Sequence, residues 1–225
     1  MRCLLLFIII CTTLSLSAQQ QKEFEGIIKY NHVFKFDPSV TDSMNIANGF
    51  GTTSAFYYKK GNYKWIYRTG ETTVTIEYLD TKTQTVFLQY ASSGDTLFRS
   101  ANRGHNDSLL SFKSFDDSVK VICGITCKKA NIITFRRGKY KGQDLRNIYY
   151  SPEVFIPHGR FSLYRTYATN KVISKTQSWP LWIEVKSDSI PFGLTFEAVE
   201  IIPQELSDDE VYLPKNKPIK QLPSF

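Results

Sequence analysis

The chain has 225 residues, with 28 Lys and Arg against 21 Asp and Glu, a formal charge of +7 and 14% aromatic residues. That length suits one large β domain or two small ones and is ample for a sizeable core. The basic excess is spread along the chain rather than blocked, which argues for no more than a weak attraction to anionic lipid or polysaccharide.

The first eighteen residues have the layout of a secretory signal peptide. Met1-Arg2 is a basic start, Leu4 to Ile10 an apolar run, and Ser15-Leu16-Ser17-Ala18 a small-residue stretch before Gln19-Gln20-Gln21. The apolar run is too short to span a bilayer, and no later stretch of the mature chain reads as a transmembrane segment. The expectation is a signal at 1–18 and a single exported β domain at 19–225, periplasmic first, surface-held or secreted second. Nucleic acid is then not an expected partner. Cys3 and Cys11 fall inside the signal. Ile10 is too large for the position before a lipidated cysteine, so no lipid anchor is expected at Cys11.

Period-two patterning dominates the rest. Ile28, Tyr30, Phe34 and Phe36 share one parity, with His32 among them. Asp37 to Gly49 opens on Asp-Pro and closes at a glycine, which predicts a short helix. Tyr63, Trp65 and Tyr67 alternate with Lys64, Ile66 and Arg68, and Val74, Ile76 and Tyr78 with Thr73, Thr75 and Glu77. Thr85 to Tyr90 carries apolar groups on both parities. His105 to Asp117 places Leu109, Leu110, Phe112 and Phe115 at spacings that fit a second short helix. Val119 to Cys127 resumes the alternation, Ile132 to Phe135 follows, and late strands are predicted at Leu181–Val185 and Phe192–Ile202. Glycine turns stand at Lys60-Gly61-Asn62, Ser93-Gly94-Asp95 and Arg137-Gly138-Lys139. Pro152 to Tyr167 is a loop or lid candidate. Short strands separated by turns indicate an antiparallel sheet rather than βαβ units.

Residues that could carry chemistry are few. His32 falls on an apolar parity, as a core or rim residue would; His105 and His158 read as loop residues, with His158 a candidate for a mouth. No Gly-x-Ser-x-Gly elbow, His-Glu-x-x-His pair or phosphate loop occurs. Asp116-Asp117 and Asp208-Asp209-Glu210 lack the spacing of a calcium loop. No metal, cofactor or catalytic set is therefore expected, and a hydrolase ranks third, after a binding protein and a protein-interaction module. Cys123 and Cys127 leave two readings open, a disulfide bent at Gly124 or two thiols on one strand face. On a flat strand they would stand about 13 Å apart, beyond bridging distance. The basic run Arg136 to Lys141 reads as a solvated hairpin tip ahead of a contact with phosphate head groups or an acidic partner.

The order of elements resembles the secreted bacterial families related to the lipoprotein carrier LolA. Glu25-Gly26-Ile27-Ile28-Lys29-Tyr30 resembles their first strand. Val121-Ile122-Cys123-Gly124-Ile125-Thr126-Cys127-Lys128-Lys129-Ala130 resembles a recurring hydrophobic-x-Gly-Tyr-x-Cys-Lys-Lys-Ala stretch, with Ile125 where tyrosine is common. Asp208 to Pro214 is similar to the closing acidic segment before Leu-Pro. Similar proteins are common in Bacteroidota. The resemblance implies a mainly β fold, a single antiparallel unclosed half-barrel with short lid helices over a hydrophobic concavity. It also implies an acyl chain, lipid or lipoprotein as ligand, held without covalent chemistry. The arginine that latches the lid in such carriers has no equivalent legible in this sequence. Tyr30, Phe34, Trp65, Tyr67, Tyr78, Phe87 and Phe196 are then the pocket candidates, with Met44, Ile46, Leu109 and Phe112 on the lid. An envelope protein partner is the alternative.

Overall fold

The computed structural model describes residues 21–100, 107–136 and 141–222. The strands are β1 (Gly26–Phe36), β2 (Thr53–Lys59), β3 (Asn62–Thr69), β4 (Thr72–Asp80), β5 (Thr85–Tyr90) and β6 (Leu97–Arg99) in the first half. The second half adds β7 (Ser108–Ile122), β8 (Ile125–Arg136), β9 (Gly142–Phe155), β10 (Ser178–Ser187), β11 (Phe192–Pro203) and β12 (Ile219–Gln221). Helix α1 (Ser43–Phe50) joins β1 to β2, α2 (Thr169–Thr176) precedes β10, and α3 (Asp208–Val211) follows β11.

All the strands form one sheet in the order β12-β6-β5-β4-β3-β2-β1-β11-β10-β9-β8-β7. It is antiparallel throughout except where the short β12 runs parallel to β6, and it is open, with β12 and β7 at its two edges. The two halves of the chain meet where β1 pairs with both β2 and β11. The fold is therefore a mainly β, unclosed half-barrel with few short helices.

Curling brings distant strands together on the concave side. Phe56 of β2 stacks on Trp179 of β10 with ring centroids 4.3 Å apart and planes 10° from parallel. Tyr30, Tyr58, Tyr63, Phe161 and Leu181 are fully buried in the same cluster, and the Tyr30 hydroxyl donates to the Pro180 carbonyl at 2.9 Å. Each such ring contributes on the order of 2–3 kcal/mol by leaving water. The convex side is covered locally: Ile27, Ala55, Leu206 and Val211 form one cluster, and Tyr78, Phe87 and Leu97 another, with Leu213 against it.

Two expectations need correction. The His105–Asp117 region is strand rather than helix from Ser108 onward. The register with β8 slips between Leu109 and Ser111 and again between Phe115 and Val119. A bulge adds a residue and resets the parity, so Leu109 and Phe112 share a packing partner at a spacing that imitates a helix. The predicted Val119–Cys127 strand is instead a hairpin. Ile122 pairs with Ile125, and Cys123 (φ 49°) and Gly124 (φ 79°) make a tight two-residue turn. Both cysteines are free thiols, Cys123 exposed at the turn and Cys127 buried in the core, so neither sequence reading of the pair holds as stated.

The predicted Asp37–Gly49 helix is shorter than expected. Asp37 accepts from the Ser39 N–H at 2.9 Å in a turn, and only Ser43–Phe50 is helical, with no fully buried residue. Gly26, at φ 151°, starts β1 where a Cβ would lie 2.2 Å from the Ile202 carbonyl oxygen.

Candidate functional site

The concave face holds a cavity of about 560 Å³ beyond the packed core. Its wall on one side is β3 to β5, through Trp65, Tyr67, Thr75, Glu77, Val86 and Leu88. On the other side Ile132, Ile148, Ile183, Val185, Leu194 and Phe196 come from β8 to β11. The strand registers place the core cluster of Tyr58, Tyr63 and Trp179 toward one end of the strands. Phe50, Phe192, Arg136, Asp144 and Arg146 stand toward the other, where β1 and β8 finish and β9 and β11 begin.

A cap covers the cavity. After β9 the chain makes two 3-10 turns, at His158–Phe161 and Thr166–Ala168, and then α2. Phe161, Tyr164, Ala168, Val172 and Ile173 are buried beneath it, and Tyr164, Thr166, Tyr167, Thr169, Val172 and Ile173 line the cavity. Tyr167 and Ala168 both have left-handed backbone, at φ 52° and 54°, a conformation costing on the order of 1 kcal/mol or more each for residues with a Cβ. Packing of the neighbouring rings holds it. Arg160 clamps the start of the cap to the N-terminal segment, donating from Nη2 to Glu23 at 2.7 Å and from Nε at 2.9 Å.

The polar groups of the cavity are the unexpected part. Arg136 Nε lies 2.7 Å from Asp144 Oδ2, but off the donor direction, so both atoms are buried without a hydrogen bond. Arg136 Nη2 donates to Ser187 Oγ at 2.6 Å and also to Ser189 Oγ. Arg146 donates through Nη2 to the Tyr167 carbonyl, while its Nε is buried without a partner. The Tyr167 ring lies near both guanidinium groups, 5.8 Å from Arg136 and 5.9 Å from Arg146, and the Tyr167 backbone N–H donates to Asp107 at 2.9 Å. Burial pulls the Arg146 guanidinium down to about 10, which leaves it cationic at neutral pH, with Asp144, Tyr167 and Asp107 opposing the shift. Across the cavity, Glu77 accepts from the Tyr63 hydroxyl. Burial raises its pKa above the ordinary carboxylate value, and that hydrogen bond partly offsets the rise.

Among the sequence-derived pocket candidates, Trp65, Tyr67 and Phe196 line the cavity. Tyr30 is packed in the core below it. Phe34 belongs to an aromatic rim with Phe36, Phe50 and Phe192. Tyr78 and Phe87 face the convex side with Leu97. On β4 it is the polar parity, Thr75 and Glu77, that faces inward; alternation defines two faces but not which of them is the inner one.

The lid candidates are displaced as well. Met44 is 75% exposed, Ile46 is half-buried and away from the cavity lining, and α1 reaches the cavity only through Gly49 and Phe50. Leu109 and Phe112 pack from β7 against Ala130, Ile132 and Val172. The cap that exists is the 157–177 segment, whose first part overlaps the Pro152–Tyr167 candidate.

The remaining sequence candidates resolve as structure. His32 is buried, with Nδ1 2.8 Å from the Gly51 carbonyl oxygen and Nε2 2.8 Å from Ser54 Oγ. His158 is exposed on the first turn of the cap, and His105 lies outside the described residues. Asp208 pairs with Lys59 at 2.9 Å, and Asp116 with Lys128 at 3.1 Å. Arg136, read from sequence as part of a solvated hairpin tip, turns into the cavity instead; residues 137–140 lie outside the described set. Among the described residues no group of His, Cys, Asp or Glu is arranged to hold a metal ion, and no helix is long and apolar enough to cross a membrane.

No protein-family model matches the chain, and no curated protein matches it. Among solved structures, that of PNGF-II in a C2 space group superposes on 87% of this chain and 31% of its own, at 10% identity and a TM-score of 0.44. The chain thus spans about a third of that protein, and a likeness of this size carries no argument about function.

Proposed function

We propose that this chain is an exported binding or carrier protein that shelters a hydrophobic ligand, an acyl chain of a lipid or lipoprotein, without covalent chemistry. The observation that carries this reading is the cavity. At about 560 Å³ it falls within the roughly 300–1,000 Å³ usual for ligand sites. Its walls are rings and branched aliphatic side chains from opposite halves of one open sheet, covered by a cap with its own anchors. The mechanism is shielding: apolar walls replace water around the chain, and displacement of the cap admits or releases it. The resemblance to LolA-related carriers supports the same reading.

Native mass spectrometry of the mature protein, purified gently from its host envelope and then extracted with organic solvent, tests it. The expected result is a stoichiometric acyl-bearing mass that disappears on extraction. A clean apo mass that persists after incubation with envelope lipids would overturn it.

A second reading rests on β7. This strand forms one edge of the sheet and exposes Leu110, Val119 and Val121 at 57%, 59% and 66%. An envelope protein could add a strand there. Proline substitutions along the outer edge of β7 would abolish such pairing and leave lipid binding intact.

A further inference from the structure

The polar end of the cavity is more than an aperture. A structural ion pair needs one arginine for one carboxylate, and Arg136 with Asp144 at 2.7 Å meets that need. Arg146 is a second guanidinium in the same wall, and its only hydrogen bond among the described residues goes to a backbone carbonyl in the cap. Its Nε is buried with no hydrogen-bond partner, whereas that of Arg136 already lies against Asp144. Asp107 stands nearby, yet it accepts from the Tyr167 N–H. Orphaned donors of this kind are costly where they stand and strongly favour an acceptor that reaches them.

Apart from Glu77 and a few hydroxyl groups, the walls beyond these groups are hydrocarbon and rings, so the acceptor must be attached to something largely apolar. A wholly apolar ligand would press hydrocarbon against the unpaired guanidinium and leave its donors unmet. The positions of the charges limit the head as well as the tail. Two guanidinium groups face two carboxylates here, Asp144 and Asp107, so the pull on an anion comes from the unmet Nε donor of Arg146 rather than from an excess of charge. Glu77 on the opposite wall, its pKa raised by burial, is engaged by the Tyr63 hydroxyl. The Arg146 guanidinium is held by its bond to the Tyr167 carbonyl and lies within cation–π distance of the Tyr167 ring, which is the pre-organisation a small anionic head needs.

Building on the carrier reading, we propose that the ligand is a single-chain amphiphile with an anionic head. The head, a carboxylate or phosphate monoester, seats against the Arg146 guanidinium, and the tail lies along Trp65, Tyr67 and Phe196. Recognition is by charge-assisted hydrogen bonds, and no bond is made or broken.

The test uses the delipidated mature chain and three probes of equal tail length: palmitate, hexadecyl phosphate and hexadecanol. Their affinities are measured by titration with native mass spectrometry. The expected result is that at least one of the two anions binds about tenfold to a hundredfold more tightly than the alcohol, the range for one or two hydrogen bonds to a charged group. Whichever anion binds more tightly identifies the head. In Arg146→Gln the anion-to-alcohol ratio should fall close to one, and in Arg146→Lys it should recover in part. Because the readout is a ratio, a change in cap closure that affects both probes alike does not imitate the result. Equal binding of the alcohol and both anions by the unmodified protein would overturn this proposal and leave the carrier reading standing. Failure of all three probes to bind would overturn both. Should Arg146→Gln not fold, the comparison of heads in the unmodified protein still decides.

Discussion

A carboxyl group on the inner face of β4 sits among rings and accepts from the Tyr63 hydroxyl, and burial holds its pKa above the ordinary 4.5. Between 4.5 and the folded-state value, the folded chain binds more protons than the unfolded one. The contribution of Glu77 to stability is therefore complete below the unfolded value and is lost as pH rises through the folded one. Glu77→Gln should match the wild type at about pH 4 and exceed it above, the gap widening by up to about 1.4 kcal/mol per pH unit within that window. His32 acts in the opposite sense. Burial lowers its pKa below 6.5, so its contribution is lost as pH falls. Urea titrations of the two proteins side by side, across pH 4 to 8, isolate Glu77. The cysteines make a second residue-level test. Cys127 is buried, with its thiol pushed up to about 11 chiefly by burial, whereas Cys123 is exposed at a turn. A maleimide should label Cys123 in the native protein and Cys127 only after unfolding. A native mass two hydrogens short would refute the free pair.

Each secondary-structure element owes its position to a few backbone requirements. β1 enters the sheet at Gly26, where a side chain would collide with the Ile202 carbonyl and with a φ of 151°. Gly26→Ala should cost about 2–4 kcal/mol, through steric displacement and strain at the junction of the two halves. Chemical denaturation measures it, and a loss below about 1 kcal/mol would mean that the β1–β11 pairing relaxes easily. The segment 157–177 shows why its structure was hard to foresee. Its two left-handed residues, Tyr167 and Ala168, are neither glycine nor asparagine, so no local signal marks them. What holds them is the burial of Phe161 and Tyr164 against rings of β2, β3 and β10. In β7 the local signal is misleading, because two bulges give strand residues helical spacing.

The open sheet, its core and its cap make a molecule whose interior is filled at one end and hollow toward the other. If the hollow is the ligand site, filling it should abolish binding at little cost to the fold. Ile183 lines the cavity beside Phe196 and Ile148, its register partners on the neighbouring strands. Ile183→Trp should eliminate acyl-chain binding and change stability by no more than about 1 kcal/mol, since the ring enters existing space rather than a packed site. Retained binding in a folded Ile183→Trp protein would place the ligand elsewhere. The expected export of the chain has its own check. Protein recovered from the envelope should begin near Gln19 by N-terminal sequencing, and an intact Met1 would contradict the signal reading.

Much of the architecture was legible in the residues. Alternation in Tyr63-Trp65-Tyr67, Ile28 to Phe36 and Phe192 to Ile202, with glycine at the turns, specifies an antiparallel sheet because side chains on a pleated strand alternate by geometry alone. That Trp65, Tyr67 and Phe196 line a cavity came from the resemblance to the LolA-related families, because alternation alone fits a filled core equally well. Alternation carries no sign, however. Whether Thr75 and Glu77 or Ile76 and Tyr78 face the cavity depends on which side of β4 the distant strands curl toward, and both sides are covered. The same holds for Arg136 and Arg146. Nothing local distinguishes an arginine at an exposed hairpin from one turned beneath a cap. Only the closure of β8 to β10 against the 157–177 segment, a contact between parts far apart in the chain, turns two ordinary basic residues into the polar end of an apolar cavity.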